Sequence, residues 1–431
     1  MVRIAEARVR GILDSRGQVT IEAEIVLSGG AKGRGSAPVA IAPGRHEKAR
    51  SKSLRIGANA GLVAVGELCH ALRELSFSDE SSFDEDIACR ARDTGLRADL
   101  TLALSQALWR AASWERDQPL VARMSAAAGT TPATPHLLIN AFSGGIHRSQ
   151  GKPSSFQQIM LTAEGNSLTA EIAAALEVFS TLEERRRQQI AIPALSASSG
   201  LLVDAPPEDL LDELASLLAD AAGDSARLGA GIDIAAEHLL DTAGHYRVGD
   251  RTLDGSALLD FILELTERFG LVYIEDPFDA EHREAWRDLL ARLPAGTLLV
   301  GDDLFASDAA RLDRDLAGAV LLKPSQIGTV SATLQTARSA LDAGFELCVS
   351  HRSGETEDTF ICDLATAVGA RFQKVGGPRR GDRIAKYNQL LRLAEEIPRR
   401  AWSASSERLT DYTNRNRREP TRCLSAHNSK Q

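Results

Sequence analysis

Six short apolar runs, each closing on a polar residue able to do chemistry, recur through the second half of this 431-residue chain. They are Gly231-Ile-Asp233, Leu271-Val-Tyr-Ile-Glu275-Asp276, Leu298-Leu-Val-Gly-Asp302-Asp303, Val320-Leu-Leu-Lys323, Leu347-Cys-Val-Ser-His351 and Phe372-Gln-Lys374. Their polar ends at 233, 275, 302, 323, 351 and 374 are 42, 27, 21, 28 and 23 positions apart. A strand, a helix and two short loops take about that many residues. The widest step also holds a polar, hairpin-like piece, His245–Gly255. Between the runs, Gly255–Phe269, Glu284–Leu293 and Val330–Ala343 carry apolar residues at helical spacing. Buried parallel strands alternating with helices predict a (β/α) barrel, which keeps its active site at the strand C-termini. A doubly wound sheet is the alternative. One polar strand end is uninformative, whereas six carrying Asp, Glu, Lys and His favour an active site.

The rest of the chain supplies a second unit. Ile4–Leu13 and the alternating Val19–Leu27 read as strands, joined to a third near Ala31–Ser36 by the turn Ser28-Gly29-Gly30. The Pro/Gly-punctuated stretch from Ala37 to Glu47 reads as a mobile loop, and Gly57–Leu75 and Ala98–Ala127 as largely helical. Residues 1–130 are thus expected to form an α+β domain, a three-stranded meander plus helices. The Pro-containing linker Thr130–His136 marks a boundary, and 131–396 is expected to be the barrel. Within it Leu137–Asn140 starts the first strand and Phe156–Leu161 reads as the second. Glu164–Arg187 reads as a helix, and Ile192–Gly200 lies where a further strand and its loop belong. From Ile397 onward eight Arg or Lys meet three Asp or Glu, so 397–431 reads as a basic, disordered tail.

Composition excludes several roles. A net charge of −9 argues against nucleic-acid binding. No apolar run reaches membrane-span length, and Met1-Val-Arg-Ile-Ala-Glu6 has no signal-peptide core. The five cysteines are scattered without metal-ligand spacing, which fits a reducing cytoplasm.

Asp233, Glu275 and Asp302 end successive predicted strands, so in a barrel they converge. Such a trio suits Mg²⁺, which takes carboxylate oxygens and keeps positions open for substrate; a solvated acidic rim is the bland reading. Lys323 and Lys374 project from the same ring, with His351 and Arg352 between them. A lysine beside a divalent cation and a second lysine has a lowered pKa and can act as a base. Each lysine alone is equally explained by a salt bridge. Together the groups suggest removal of a proton next to a carboxylate, with cations stabilising the enediolate.

At these residues the chain resembles the enolase family. The most specific stretches are Ile12-Leu-Asp-Ser-Arg-Gly17, Ser143-Gly-Gly145 before His147, Ile274-Glu-Asp-Pro277, Gly301-Asp-Asp-Leu-Phe305, Leu322–Thr329, Ser350–Asp358 and Asp382–Leu391. The resemblance spans roughly residues 1–396. It implies an α/β fold: an enolase-type modified (β/α)8 barrel after the α+β domain, assembled as a homodimer or larger. It also implies that Asp233, Glu275 and Asp302 bind Mg²⁺ and that Lys323 is the base. Lys374 would bind the substrate carboxylate, Arg352 and Ser353 the phosphoryl group, with His351 nearby and His147 closing over a small anionic phosphorus-containing carboxylate.

The departures lie on one side of the site. Family members read Ser-Gly-Ala-Ser-Thr-Gly where this chain has Val39-Ala-Ile-Ala-Pro-Gly44, so Ala42 stands at a Ser that helps hold a second Mg²⁺. A family Gln-Glu is Gln157-Gln158, and the Glu of Gly-Asp-Glu-Gly-Gly-Phe is Ser198. Arg45, Arg148 and Lys152 add basic character. The base half is kept and the acid half is altered. This is the pattern expected of an enolase-like lyase with a changed substrate, leaving group or acid, such as the carboxyphosphonoenolpyruvate synthases of phosphonate metabolism. A slow true enolase using His46, His147 or water as acid, and a non-catalytic enolase-like binding protein, are the alternatives.

Overall fold

The computed structural model describes residues 1–41, 43–94, 96–145, 155–165, 167–189, 192–221 and 226–397. His147, Arg148, Lys152, Ala42 and the basic tail beyond Ile397 lie outside them. Strands β1 (Val2–Leu13), β2 (Val19–Leu27) and β3 (Lys32–Ser36) form the antiparallel meander. Helices α1 (Val63–Leu72), α2 (Glu80–Thr94), α3 (Ala98–Glu115) and α4 (Leu120–Ala128) follow. The single helix expected over 98–127 is broken because Asp117 turns to φ 48° just before Pro119, which has no amide to continue the ladder. Helix α3 lies directly on β3. A Cβ on Gly33 would come within 2.0 Å of Ala107 O, so only glycine allows that approach.

Eight strands then close a barrel: β4 (His136–Ser143), β5 (Gln158–Gly165), β6 (Ala226–Asp233), β7 (Tyr273–Glu275), β8 (Leu298–Gly301), β9 (Ala319–Leu322), β10 (Glu346–Ser350) and β11 (Phe372–Lys374), with β11 pairing back to β4. The strands are apolar on both faces because both are covered. Leu138, Met160, Tyr273, Leu321 and Phe372 fill the interior, while Leu137, Ile139, Leu322 and Leu347 pack outward against helices.

Two expectations are corrected. Strand β5 runs antiparallel to β4 and β6, so the barrel is not uniformly parallel. Its reversal brings the N-terminal end of β5 to the rim where the other strands end: Gln158 stands opposite Asp233. Residues 192–200 supply no barrel strand. Leu201–Leu202 instead makes a short parallel pairing with Phe142–Ser143, outside the closed ring. The longer helices come close to expectation. Gly255–Phe269 is helical as read, capped by the Asp254 carboxylate, which accepts from Ala257 N at 2.8 Å, and closed by Gly270 at φ 60°. The small hairpin Tyr246–Val248/Arg251–Leu253 is also present. Among the described residues no helix is long and apolar enough to cross a membrane.

The meander side and the barrel are tied by buried polar contacts. Arg110 donates twice to Asp358, both at 2.7 Å, and Thr101 Oγ1 donates to Gly328 O at 2.7 Å. Asp84 accepts from Ser331 N at 2.9 Å and from Trp109 Nε1 at 3.2 Å. Burial pushes the Asp84 carboxyl up to about 6. A folded-state pKa above the unfolded value adds stability at low pH that is lost as pH rises through about 6. Between about pH 4 and pH 6.5 the native chain should therefore lose roughly 2–3 kcal/mol relative to Asp84→Asn. Urea unfolding at the two pH values checks this; parallel pH profiles for both proteins would contradict it.

Candidate active site

The rim of the barrel collects the charged strand ends into one cavity. It is lined by Glu47, Gln157, Gln158, Ser198, Asp276, Asp302, Asp303, Lys323, His351, Arg352, Ser353 and Lys374, among others. Register explains the gathering: Gln158, Asp233 and Glu275 are direct partners on β5, β6 and β7, and Lys374 is opposite Ser350 on the neighbouring pair. Asp233, Glu275, Asp302 and Lys374 are each 6 % exposed or less.

Burying so much charge requires pairing. Lys374 Nζ donates to Asp233 Oδ2 at 2.8 Å and to both Glu275 oxygens at 2.8–2.9 Å. Tyr273 donates its hydroxyl to Glu275 Oε2 at 2.7 Å, and Gln157 Nε2 reaches Asp233 at 3.2 Å. Lys323 pairs with Asp302, whose other oxygen takes Gln326 Nε2 at 3.0 Å. Burial lowers the Lys323 pKa, but the Asp302 and Glu275 carboxylates together hold the ammonium above its ordinary value. For Lys374 too, Asp233 and Glu275 override burial and raise the pKa. The lowered lysine pKa expected beside a divalent cation and a second lysine belongs to the metal-bound site; with the carboxylates facing the lysines directly, both ammonium groups are held above their ordinary value.

Glu275 is pushed up to about 7 by burial and by Asp233. Asp276, Asp302 and Asp303 bring oxygens within 4.8 Å of one another. Burial, with the neighbouring carboxylates, raises Asp276 and Asp303 well above the usual range. An all-oxygen donor set of this charge fits a hard divalent cation. Asp276 was not singled out as a site residue from sequence. Its backbone sits at φ 41° and its carboxylate accepts the amides of Asp302 and Asp303 at 2.9 and 2.8 Å, which fixes the β8 end. The signal for it was the paired acid in Glu275-Asp276.

Opposite, Arg352 donates to Glu47 Oε1 at 2.6 Å. Glu47 arrives from the loop of the meander side, and its Oε1 also accepts Gly44 N at 3.2 Å. His351 is buried, and its Nδ1 receives Arg383 NH1 at 2.5 Å. A guanidinium only donates, so Nδ1 is the acceptor and Nε2 carries the hydrogen. Burial and then Arg383 hold the His351 pKa well below its usual value, so the ring is neutral. Of the remaining lining, Ser198, 1 % exposed, and Gln158, whose buried Oε1 has no hydrogen-bond partner, bring no charge, while His238 also lines the cavity. Arg45 is turned away and pairs with Glu237 at 3.1 Å and Asp279 at 3.3 Å; His46 meets Glu281 at 3.3 Å. Neither lines the cavity.

Comparison with known proteins agrees with this architecture. Residues 132–411 match the family model for the enolase C-terminal TIM barrel domain. The chain is also 32% identical over 419 residues, covering 92% of its own length and 100% of the relative, to a protein named enolase from Halorubrum lacusprofundi.

Proposed function

The chain belongs to the enolase family and is a lyase, and from that premise we propose the following reaction. The enzyme removes the proton α to the carboxylate of a 2-phosphoglycerate-like substrate and releases an enolpyruvate product, as a carboxyphosphonoenolpyruvate synthase of phosphonate metabolism. Lys323 is the base, supported by its place in the cavity beside Asp302. Lys374 and the carboxylates Asp233, Glu275 and Asp302 form the end that takes the substrate carboxylate and Mg²⁺. When bound, the cation supplies positive charge against the developing enediolate. Arg352 and Ser353 take the phosphorus group, and Arg352 must then release Glu47. His351 donates through Nε2. His147 and a second Mg²⁺ complete the same reading, as do a homodimeric or larger assembly and a cytoplasmic location.

The observation that carries the choice of substrate is the neutral wall of Gln158 and Ser198. Departing hydroxide needs a proton donor, worth about 10²–10⁴ in rate. Neither side chain is an acid, so the C3 hydroxyl of either substrate takes its proton from water or another group as it leaves, and the altered wall supports a changed phosphorus substituent rather than a changed leaving group. Purified protein with Mg²⁺ should turn over a phosphonoformyl-bearing analogue of 2-phosphoglycerate at least tenfold faster than 2-phosphoglycerate, read as enolpyruvate absorbance. Equal or faster use of 2-phosphoglycerate overturns the choice. It would then favour a slow true enolase, the reading supported by the relative's name. Ser198→Glu should raise 2-phosphoglycerate turnover wherever the missing acid limits the reaction, and leave it unchanged if another group already supplies the proton.

A further inference from the structure

Arg383 meets the active site from behind. It lies in the first turn of the helix Gly381–Glu396, is 0 % exposed and does not line the cavity. Its NH1 donates to His351 Nδ1 at 2.5 Å, and its NH2 donates to Ala197 O and to Ser353 O, both at 2.9 Å. The three acceptors belong to two separate loops. His351 and Ser353 follow β10, whereas Ala197 precedes Ser198 in the turn closed by Ser196 N on Gly200 O. One planar group thus spans the side of the cavity that carries Arg352 and Ser353 and the side that carries Ser198.

The junction around it is tight. Gly376, at φ 83°, sits between the two loops: a Cβ there would lie 2.7 Å from Ser198 O, 3.1 Å from Arg383 Cδ and 3.2 Å from His351 Cε1. Gly377 N donates to Ser198 O at 2.8 Å, and the Tyr387 hydroxyl donates to Gly376 O at 2.7 Å. Complete burial of a guanidinium is costly unless its charge is answered. Asp382 Oδ2 lies 3.1 Å from the Arg383 Nε, but the two terminal nitrogens face a neutral ring and two carbonyls rather than a carboxylate. An apolar side chain of similar length would avoid that desolvation, so what the arginine adds is geometry. Its rigid fork holds several acceptors at set positions, which the single ammonium of a lysine does not.

We propose that Arg383 is a positioning residue for the reaction: it fixes His351 as a donor through Nε2 and sets the Ser353 end at a constant distance from Ser198. The assignment rests on the roles proposed above for His351 and Ser353. Arg383 itself touches no substrate and acts through the two loops. Misplacing reacting groups by about 1 Å costs about 10² in rate, so its removal should appear in kcat. Binding should change little, because Arg352, Ser353 and Lys374 keep their side chains.

Arg383→Met removes every donor while keeping an unbranched side chain. With whichever of the two phosphorus substrates the native protein uses, its kcat should fall at least tenfold while KM changes less than threefold. Arg383→Lys keeps the charge but cannot span three acceptors; it should show the same split, and it decides alone if the methionine variant does not fold. NMR of substrate-free protein carrying nitrogen-labelled histidine reads the ring directly. His351 should be a single Nε2–H tautomer in the native chain and a mixture of tautomers in the variants. Native kcat in a folded variant, or a loss confined to KM, overturns the positioning role. An Nδ1–H ring in the native chain overturns the lock on His351. A chain that turns over neither substrate would instead overturn the proposed reaction, and the spectra would still decide the lock.

Discussion

Lys323→Ala is expected to lower kcat by about 10²–10⁴ while leaving substrate affinity little changed. The lysine stands at the end of β9, with its side chain 12 % exposed and its ammonium on Asp302. Truncation removes the proposed base without unseating its neighbour, because Gln326 still donates to Asp302 at 3.0 Å. The groups proposed to hold the carboxylate and the phosphorus group are other residues, so binding energy should be largely kept. Exchange of the substrate α-proton into deuterated water, followed by NMR, isolates the step. Exchange and turnover should vanish together. Exchange that survives the substitution would assign the base elsewhere, and substrate-dependent signals wholly indifferent to it would favour a binding protein over an enzyme.

The second large effect is on stability. Lys374→Ala should cost the metal-free protein about 3–5 kcal/mol, since it strands two buried carboxylates. Asp233 and Glu275 side chains are 2 % and 1 % exposed, and the single ammonium bonds to both. Tyr273 and Gln157 leave each with one remaining donor, too little to replace a full charge. Mg²⁺ should stabilise the variant more than the parent, because binding to the folded state adds to stability and the variant's oxygens are free. Urea unfolding in EDTA and in excess Mg²⁺ reads both effects. An undiminished midpoint in EDTA would show that the ammonium is not what makes the buried acids tolerable.

Much of the site was legible before any coordinates because barrel chemistry sits at strand ends, and strand ends are local features. Asp302 and Lys323 close recognisable apolar runs, and the chain brings their side chains together. Lys374 and Glu275 lie 99 positions apart and are also in contact. From sequence Glu47 reads only as the end of a loop, since nothing local indicates that its carboxylate crosses to Arg352, 305 positions away. Asp276 was overlooked as a site residue for a related reason: its task is to accept the amides of a neighbouring strand. Arg45 attracted attention for its charge, and the fold pairs it with Glu237 and Asp279 outside the cavity.

The amino-acid pattern by itself determined the strand–helix alternation, the meander ahead of it and the ring of acids and lysines. Each depends on periodicity and on what must be buried within a few residues. Tertiary structure decided the direction of β5, the displacement of residues 192–200 from the ring, and the charge state of the lysines. A strand buried on both faces reads the same in either direction, so only its partners set its sense. An ammonium's pKa depends on which carboxylates lie within a few ångströms, and those distances exist only once the barrel has closed.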